Sequence, residues 1–135
     1  METIQWDDRL LLGFEMIDNQ HREIYKLLDR LRQRIDSGEY ESVVKEFVEF
    51  LDVYIQYHFS QEEELQEFID YPYHEQHKKE HEAFKAKVLE YKESIEKDID
   101  IEKAQEGLKI LVHWLKNHIE KTDYQLVKFI NDENL

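Results

Sequence analysis

Four stretches of this chain repeat apolar residues every three or four positions, and almost nothing in the sequence interrupts them. That spacing puts one buried face on an α-helix, whereas a half-buried strand would alternate every second residue. Three glycines and one proline in 135 residues leave few places to turn, and Glu, Lys, Leu and Ile are abundant. The class is therefore expected to be all-α.

After an N-terminal arm containing Trp6, the first predicted helix starts near Asp18, a good N-cap residue, and stops at Ser37-Gly38. Its stripe reads Ile17, His21, Ile24, Leu28, Leu31, Ile35. The second runs from about Glu41 to Phe68, with Val44, Phe47, Leu51, Tyr54, Ile55, His58, Glu62 and Leu65 on one side. Pro72 suits the first position of a third helix, whose stripe is His77, His81, Phe84, Val88, Tyr91, Ile95. Asp98 or Asp100 can cap a fourth, carrying Ala104, Leu108, Leu111, Leu115 and His118. Tyr124 to Ile130 form a short C-terminal helical segment. Short connections make an antiparallel up-down-up-down four-helix bundle the economical solution, one domain spanning residues 1–135.

Seven residues on or beside these stripes are ionisable: His21, His58, Glu62, His77, His81, His118 and Asp123. Buried without partners they would be costly. His58 and Glu62 are four apart, as are His77 and His81, so each pair stacks on one helix face. Alternating helix directions bring His21 level with His58, and His77 and His81 level with His118, all at one end of the bundle. His118 and Asp123 are five apart, roughly 140° on a regular helix, so a common centre requires an irregularity at residues 119 to 123, for instance a π-bulge. Each residue has an ordinary reading taken alone. A lone core histidine is usually hydrogen-bonded, Glu62 belongs to an acidic run, His77 and His81 can flank a solvated face, and Asp123 can cap a helix. Their conjunction at one level favours a metal centre. His74 and His113 keep the structural reading.

Composition excludes several classes. With 32 acidic and 18 basic residues the formal charge is −14, which argues against nucleic acid or anionic lipid as partners. No cysteine is present, so disulfides, thiolate zinc sites and iron–sulfur clusters are out. No apolar run reaches the length of a membrane span and the acidic N-terminus is unlike a signal peptide, so a soluble cytoplasmic protein is the expectation.

The chain resembles the hemerythrin family in its single-domain bacterial form, the bacteriohemerythrins. The resemblance rests on Trp6, the stretch Gly13 to His21 ending I-D-N-Q-H, H-F-S-Q-E-E at 58–63, Y-P at 71–72, H-K-K-E-H at 77–81 and W-L-K-N-H-I-E-K-T-D at 114–123. It implies a non-haem centre of two iron ions joined by an oxo or hydroxo bridge. One iron would be held by His77, His81 and His118, the other by His21 and His58, with Glu62 and Asp123 bridging both. Those donors leave one position open on the iron with two histidines, where dioxygen would bind.

A ferritin-like oxidase is a poorer match, because no histidine here has Glu three residues before it. Neutral imidazoles also favour the ferrous state, which suits reversible binding. A b-type haem would leave Glu62 and Asp123 unpartnered, and a structural zinc needs only four ligands. Trp114, Leu115, Ile24, Tyr25, Ile55 and Phe59 are candidates for an apolar pocket around the open position. Gln66 stands where the family usually carries methionine; turned inward, it would recruit water and speed autoxidation. The expected function is oxygen storage, delivery or scavenging, without enzymatic turnover. A redox enzyme acting on peroxide or nitric oxide, and an oxygen- or iron-sensing protein, are the alternatives, and the sequence names no protein partner.

Overall fold

A computed structural model describes residues 4–38, 41–97 and 100–135. After a 3-10 turn at Asp8–Leu10 come α1 (Glu15–Asp36), α2 (Glu41–Phe68), α3 (His74–Lys97) and α4 (Ile101–Asn117). A π-helical segment, His118–Asp123, then leads into α5 (Tyr124–Asp132). The helix α1 packs on α2 and α4, α2 on α3, and α3 on α4, which closes an antiparallel four-helix bundle. Among the described residues no helix is long and apolar enough to cross a membrane.

The stripes read from the sequence face inward. Ile17, Ile24, Leu28, Leu31 and Ile35 of α1 are buried, as are Phe84, Val88, Tyr91 and Ile95 of α3 and Ala104, Leu108, Leu111 and Leu115 of α4. On α2 the buried line also takes in Val48, Phe59 and Gln66. The apolar residues fall into two clusters. The larger runs through the body of the bundle, and a smaller one, Ile17, Tyr71, Leu126, Val127 and Ile130, closes one end.

The helix ends explain where each element stops. The Asp100 carboxylate accepts from the N–H groups of Glu102 and Lys103 at 3.0 and 3.3 Å and caps α4. Asp98 lies outside the described residues. After α2, Asp70 takes a left-handed φ of 54°, and Tyr71 N–H reaches back to the Gln66 carbonyl at 2.9 Å. That pairing is a Schellman stop, and it drops Tyr71 into the end cluster.

Two boundaries differ from the sequence reading. The helix α1 starts at Glu15, not near Asp18, behind Phe14 and with no side-chain cap. Asp18 is instead buried within the first turn, and its carboxylate accepts from the backbone N–H groups of Leu12 and Gly13 at 2.9 and 3.0 Å. A residue type suited to capping is thus used to tie the arm down from inside the helix. Pro72 is in the turn, and α3 begins two residues later at His74.

Candidate metal centre

All seven ionisable residues converge where the two apolar clusters meet. His21 lies near the start of α1, His58 and Glu62 near the end of α2, His77 and His81 near the start of α3, and His118 just past α4. Antiparallel packing sets those ends side by side. Asp123 joins them through the π-segment, in which Tyr124 N–H bonds back to the Ile119 carbonyl in the i→i−5 pattern. The wider turn brings Asp123 Oδ1 to 3.3 Å from His118 Nε2, where a regular helix would have rotated it away.

Each carboxylate divides its oxygens between two groups of histidines. Glu62 turns Oε2 to His58 at 2.5 Å and His21 at 3.7 Å, and Oε1 to His77 and His81 at 3.3 and 3.6 Å. Asp123 turns Oδ2 to His21 at 3.0 Å, and Oδ1 to His77 and His118 at 3.1 and 3.3 Å. The result is two donor sets, His77, His81 and His118 on one side and His21 and His58 on the other, with Glu62 and Asp123 common to both.

The residues fit a metal pair. The Nε2 atoms of His21, His58 and His77 and both oxygens of Glu62 and Asp123 are buried without a hydrogen-bond partner, despite the short distances between them. The groups aim at common points rather than at one another. His81 Nε2 and His118 Nε2 face each other at 3.2 Å, as two lone pairs directed at one ion would. Donors held about 2.1 Å from an ion at right angles are about 3 Å apart, which is the spacing seen here. Without a cation, protons on three of the histidines, His21, His77 and His118, offset the two carboxylates. Burial works against the imidazolium of His21, yet Asp123 and Glu62 outweigh it and raise its pKa to about 9. The same balance raises His77 to about 9 and His118 to about 10. Despite burial, the histidines hold Glu62 and Asp123 well below the usual carboxylate range.

Comparison with known proteins agrees with this geometry. Residues 12–130 match the family model described as the hemerythrin HHE cation binding domain. The chain belongs to the hemerythrin family. It is 37% identical to a bacteriohemerythrin of Stenotrophomonas maltophilia, over 91% of this chain and 78% of that protein. A bacteriohemerythrin of Clostridium acetobutylicum is 33% identical over 90% of this chain and 97% of its own length. A myohemerythrin of Theromyzon tessulatum is 27% identical over 92% and 91%.

As a member of the hemerythrin family the chain has a second tier of residues that the sequence reading passed over. His81 Nδ1 is 3.0 Å from Glu63 Oε2, and His118 Nδ1 is 3.4 Å from Glu80 Oε1, which also accepts from the Thr122 hydroxyl at 2.8 Å. His58 Nδ1 is 2.5 Å from Gln20 Oε1. An Nδ1–H donated outward leaves the Nε2 lone pair facing the centre. Gln20, Glu63 and Glu80 are each adjacent in sequence to a candidate ligand, hence about 100° round the helix and aimed at a ligand on the next one. That offset was the available signal. Both carboxylates stand behind the three-histidine set, whereas the two-histidine set has only the neutral amide.

The expected pocket residues divide by position. Ile24, Ile55 and Leu115 lie one turn from His21, His58 and His118, on the side of the larger cluster, and are almost fully buried. Phe59 stacks on His81 with ring centroids 3.8 Å apart, and Trp114 stacks on His118 at 4.8 Å, so both stand against the three-histidine set. Tyr25 is buried under the edge of Trp6, 5.4 Å between centroids. Gln66 points inward but lies one turn beyond Glu62, towards Tyr71 and the end cluster. Its Oε1 is 3.0 Å from His74 Nδ1, while its Nε2 is buried without a partner. His113 is exposed and accepts from Asn117 at 3.1 Å.

Proposed function

We propose that the protein binds dioxygen reversibly at a non-haem di-iron centre and serves in oxygen storage, delivery or scavenging rather than as an enzyme. The observation that carries this reading is the division of the Glu62 and Asp123 oxygens between two histidine sets, since a single ion would not need either carboxylate to face both ways. Iron, when bound, supplies the electrons that reversible oxygen binding requires. The donor chemistry suits it, because imidazole and carboxylate together accommodate ferrous and ferric ions.

The chain's own part is to hold, neutralise and shield. His77, His81 and His118 would occupy three positions on one ion, and His21 and His58 two on the other. The second ion is thus the less filled and the natural place for a small ligand. Ile24, Ile55 and Leu115 keep water from that side, which limits proton access and irreversible oxidation. Glu63 and Glu80 add two negative charges next to His81 and His118, favouring retention of the ion on the three-histidine side.

The deciding experiment is metal analysis, then anaerobic reduction and re-exposure to air while the visible spectrum is followed. Two irons per chain and a reversible oxygen-dependent band support the proposal. One metal per chain or an invariant spectrum overturns it. His77→Ala is expected to lower iron content while the helices, whose cores lie elsewhere, stay largely formed.

A further inference from the structure

The helix α2 is apolar on two opposite faces, and the bundle uses only one. Val44, Val48, Leu51, Ile55 and Phe59 are buried in the core. Phe50, Val53 and Tyr57 point the other way and are 57%, 58% and 54% exposed. Their spacing of three and four residues sets them in one line over two turns of helix. A lone exposed apolar side chain signifies little, whereas a contiguous row of large ones is the mark of an interaction surface. Among the described residues no other helix repeats it. Leu89 stands alone on α3, and Ile101 and Ile110 of α4 are nine residues apart, about 180° round the helix.

Charge decides what kind of molecule fits there. Glu46 lies one turn before Phe50 and Glu64 two turns after Tyr57, both exposed and both on the outward line. The row therefore has an apolar centre between acidic ends, over about 27 Å. Phe50 and Val53 also line a trough of about 490 Å³ together with Lys45, Glu46 and Glu49 of α2 and Glu96 of α3. Lys92 is drawn onto Glu49 at 2.7 Å and Asp52 at 3.7 Å, so four carboxylates share two lysines in that region. A second copy of this chain is a poor occupant. Antiparallel pairing of two such rows sets each Glu46 against a Glu64, and parallel pairing sets like against like, on chains whose formal charge is −14. Anionic lipid and nucleic acid are repelled in the same way.

We propose that the outer face of α2 docks a basic amphipathic helix of a partner protein, with its apolar side chains on Phe50, Val53 and Tyr57 and its lysines or arginines on Glu46, Glu64 and Glu96. Helix recognition of this kind uses anchors at three- and four-residue spacing, and charge at the rim fixes the register. Tyr57 adjoins His58 in the chain, so the partner would lie one helix thickness, about 10 Å, from the candidate metal centre. The inference goes beyond the oxygen-binding reading and does not depend on which ions the centre holds.

The probe is a fluorescently labelled synthetic helix of about five turns, with leucines along one face and lysines at both ends, titrated with the whole chain. Fluorescence anisotropy is expected to show saturable binding that weakens with added salt. Phe50→Ser with Tyr57→Ser, and separately Glu46→Lys with Glu64→Lys, should each weaken it about tenfold or more. Helical circular dichroism and metal content should stay unchanged in both, because all four side chains are exposed. A peptide of the same composition with its leucines scattered round the helix separates docking from charge attraction alone. Equal binding of the scattered peptide, no binding of the ordered one, or binding unaffected by the paired serine substitutions overturns the proposal. Sedimentation of the protein alone should be the same with and without those serines; a dimer that they dissolve assigns the face to a second copy and overturns it as well.

Discussion

Glu63 offers the sharpest single perturbation of the centre, because it touches no candidate metal position yet stands directly behind one. Its Oε2 is 3.0 Å from His81 Nδ1, and its side chain is 16% exposed. Adding the width of an imidazole and a metal–nitrogen bond puts the carboxylate about 7 Å from the ion. At that distance, with an effective dielectric of about 20, a unit charge and a divalent ion interact by about 5 kcal/mol before screening. Outer partners of this kind change metal affinity by roughly 10–100-fold when removed, about 1.4–2.7 kcal/mol, so solvent and relaxation absorb half or more of the Coulomb value. Glu63→Gln keeps an acceptor for His81 and removes only the charge; we expect about 30-fold weaker binding of one of two ions. The assay is anaerobic titration of metal-free protein with ferrous or cobaltous ion against a chelator, fitted for two sites. Gln20→Ala, behind His58 on the other set, removes no charge and should affect the opposite ion by less. Wild-type affinities for both Glu63→Gln and Glu63→Ala, or equal weakening of both ions, would refute the argument that the two positions are electrostatically distinct.

Three further outcomes are expected. A Cβ on Gly107 would lie 2.5 Å from two ring carbons of Tyr91, whose hydroxyl donates to the Ala104 carbonyl at 2.7 Å. Gly107→Ala gains about 1 kcal/mol of helix propensity but incurs about 1–3 kcal/mol of overpacking and endangers that hydrogen bond, so the melting temperature should fall by a few degrees; a rise would disprove the close approach. In the metal-free protein His21, His77 and His118 have pKa values raised from 6.5 to about 9, 9 and 10, so their stabilisation is complete below pH 6.5 and is lost as pH rises towards 10. Glu62 and Asp123 are shifted the other way from 4.5 and 3.8, so their contribution is complete above those values and fades in acid. Thermal melts of metal-free protein should therefore peak between about pH 4.5 and 6.5 and decline towards pH 10; stability unchanged from pH 6 to 10 would contradict this. Gln66→Met removes a buried amide whose Nε2 has no partner and frees half-buried His74 to water, and should stabilise the fold by about 1 kcal/mol in denaturant titrations. Autoxidation slowed in the same variant would connect the amide to water at the centre, and an unchanged rate would confine its role to packing.

Much of the fold could be read from helical periodicity alone, because the stripe positions of α1, α3 and α4 are buried by packing with a single period. The bounds of α2 and the irregularity after His118 were legible for the same reason, since a five-residue offset is incompatible with a shared centre on a regular helix. What escaped was non-local. Asp18 carries a capping side chain, but the groups it satisfies belong to the arm folded back over α1, which local sequence rules do not see. Glu63 and Glu80 sit in charged runs, E-E-E and H-K-K-E-H, that read as solvated faces until the register between helices is known. The pose of Gln66 was open on helix geometry, and it is decided by His74 on another helix.

The location of the centre links its chemistry to the integrity of the bundle. Seven ionisable side chains form a layer between two apolar clusters, so neither cluster packs directly across it. Desolvating such a layer is expensive unless charge is matched, and protons match it only over a limited pH range. A pair of divalent ions would carry four positive charges against Glu62, Asp123, Glu63 and Glu80, four carboxylates, leaving the layer balanced without protons. Metal binding then contributes to folding free energy as well as to function. The π-segment ties the two together further. The widened turn that brings Asp123 to the centre also sets the rotation of α5, and with it Leu126, Val127 and Ile130 in the end cluster. A regular helix there would withdraw the Asp123 carboxylate and turn that apolar face away from Ile17 and Tyr71 at once. The irregular backbone is therefore held from both sides, by the ionisable layer above and the apolar cluster below.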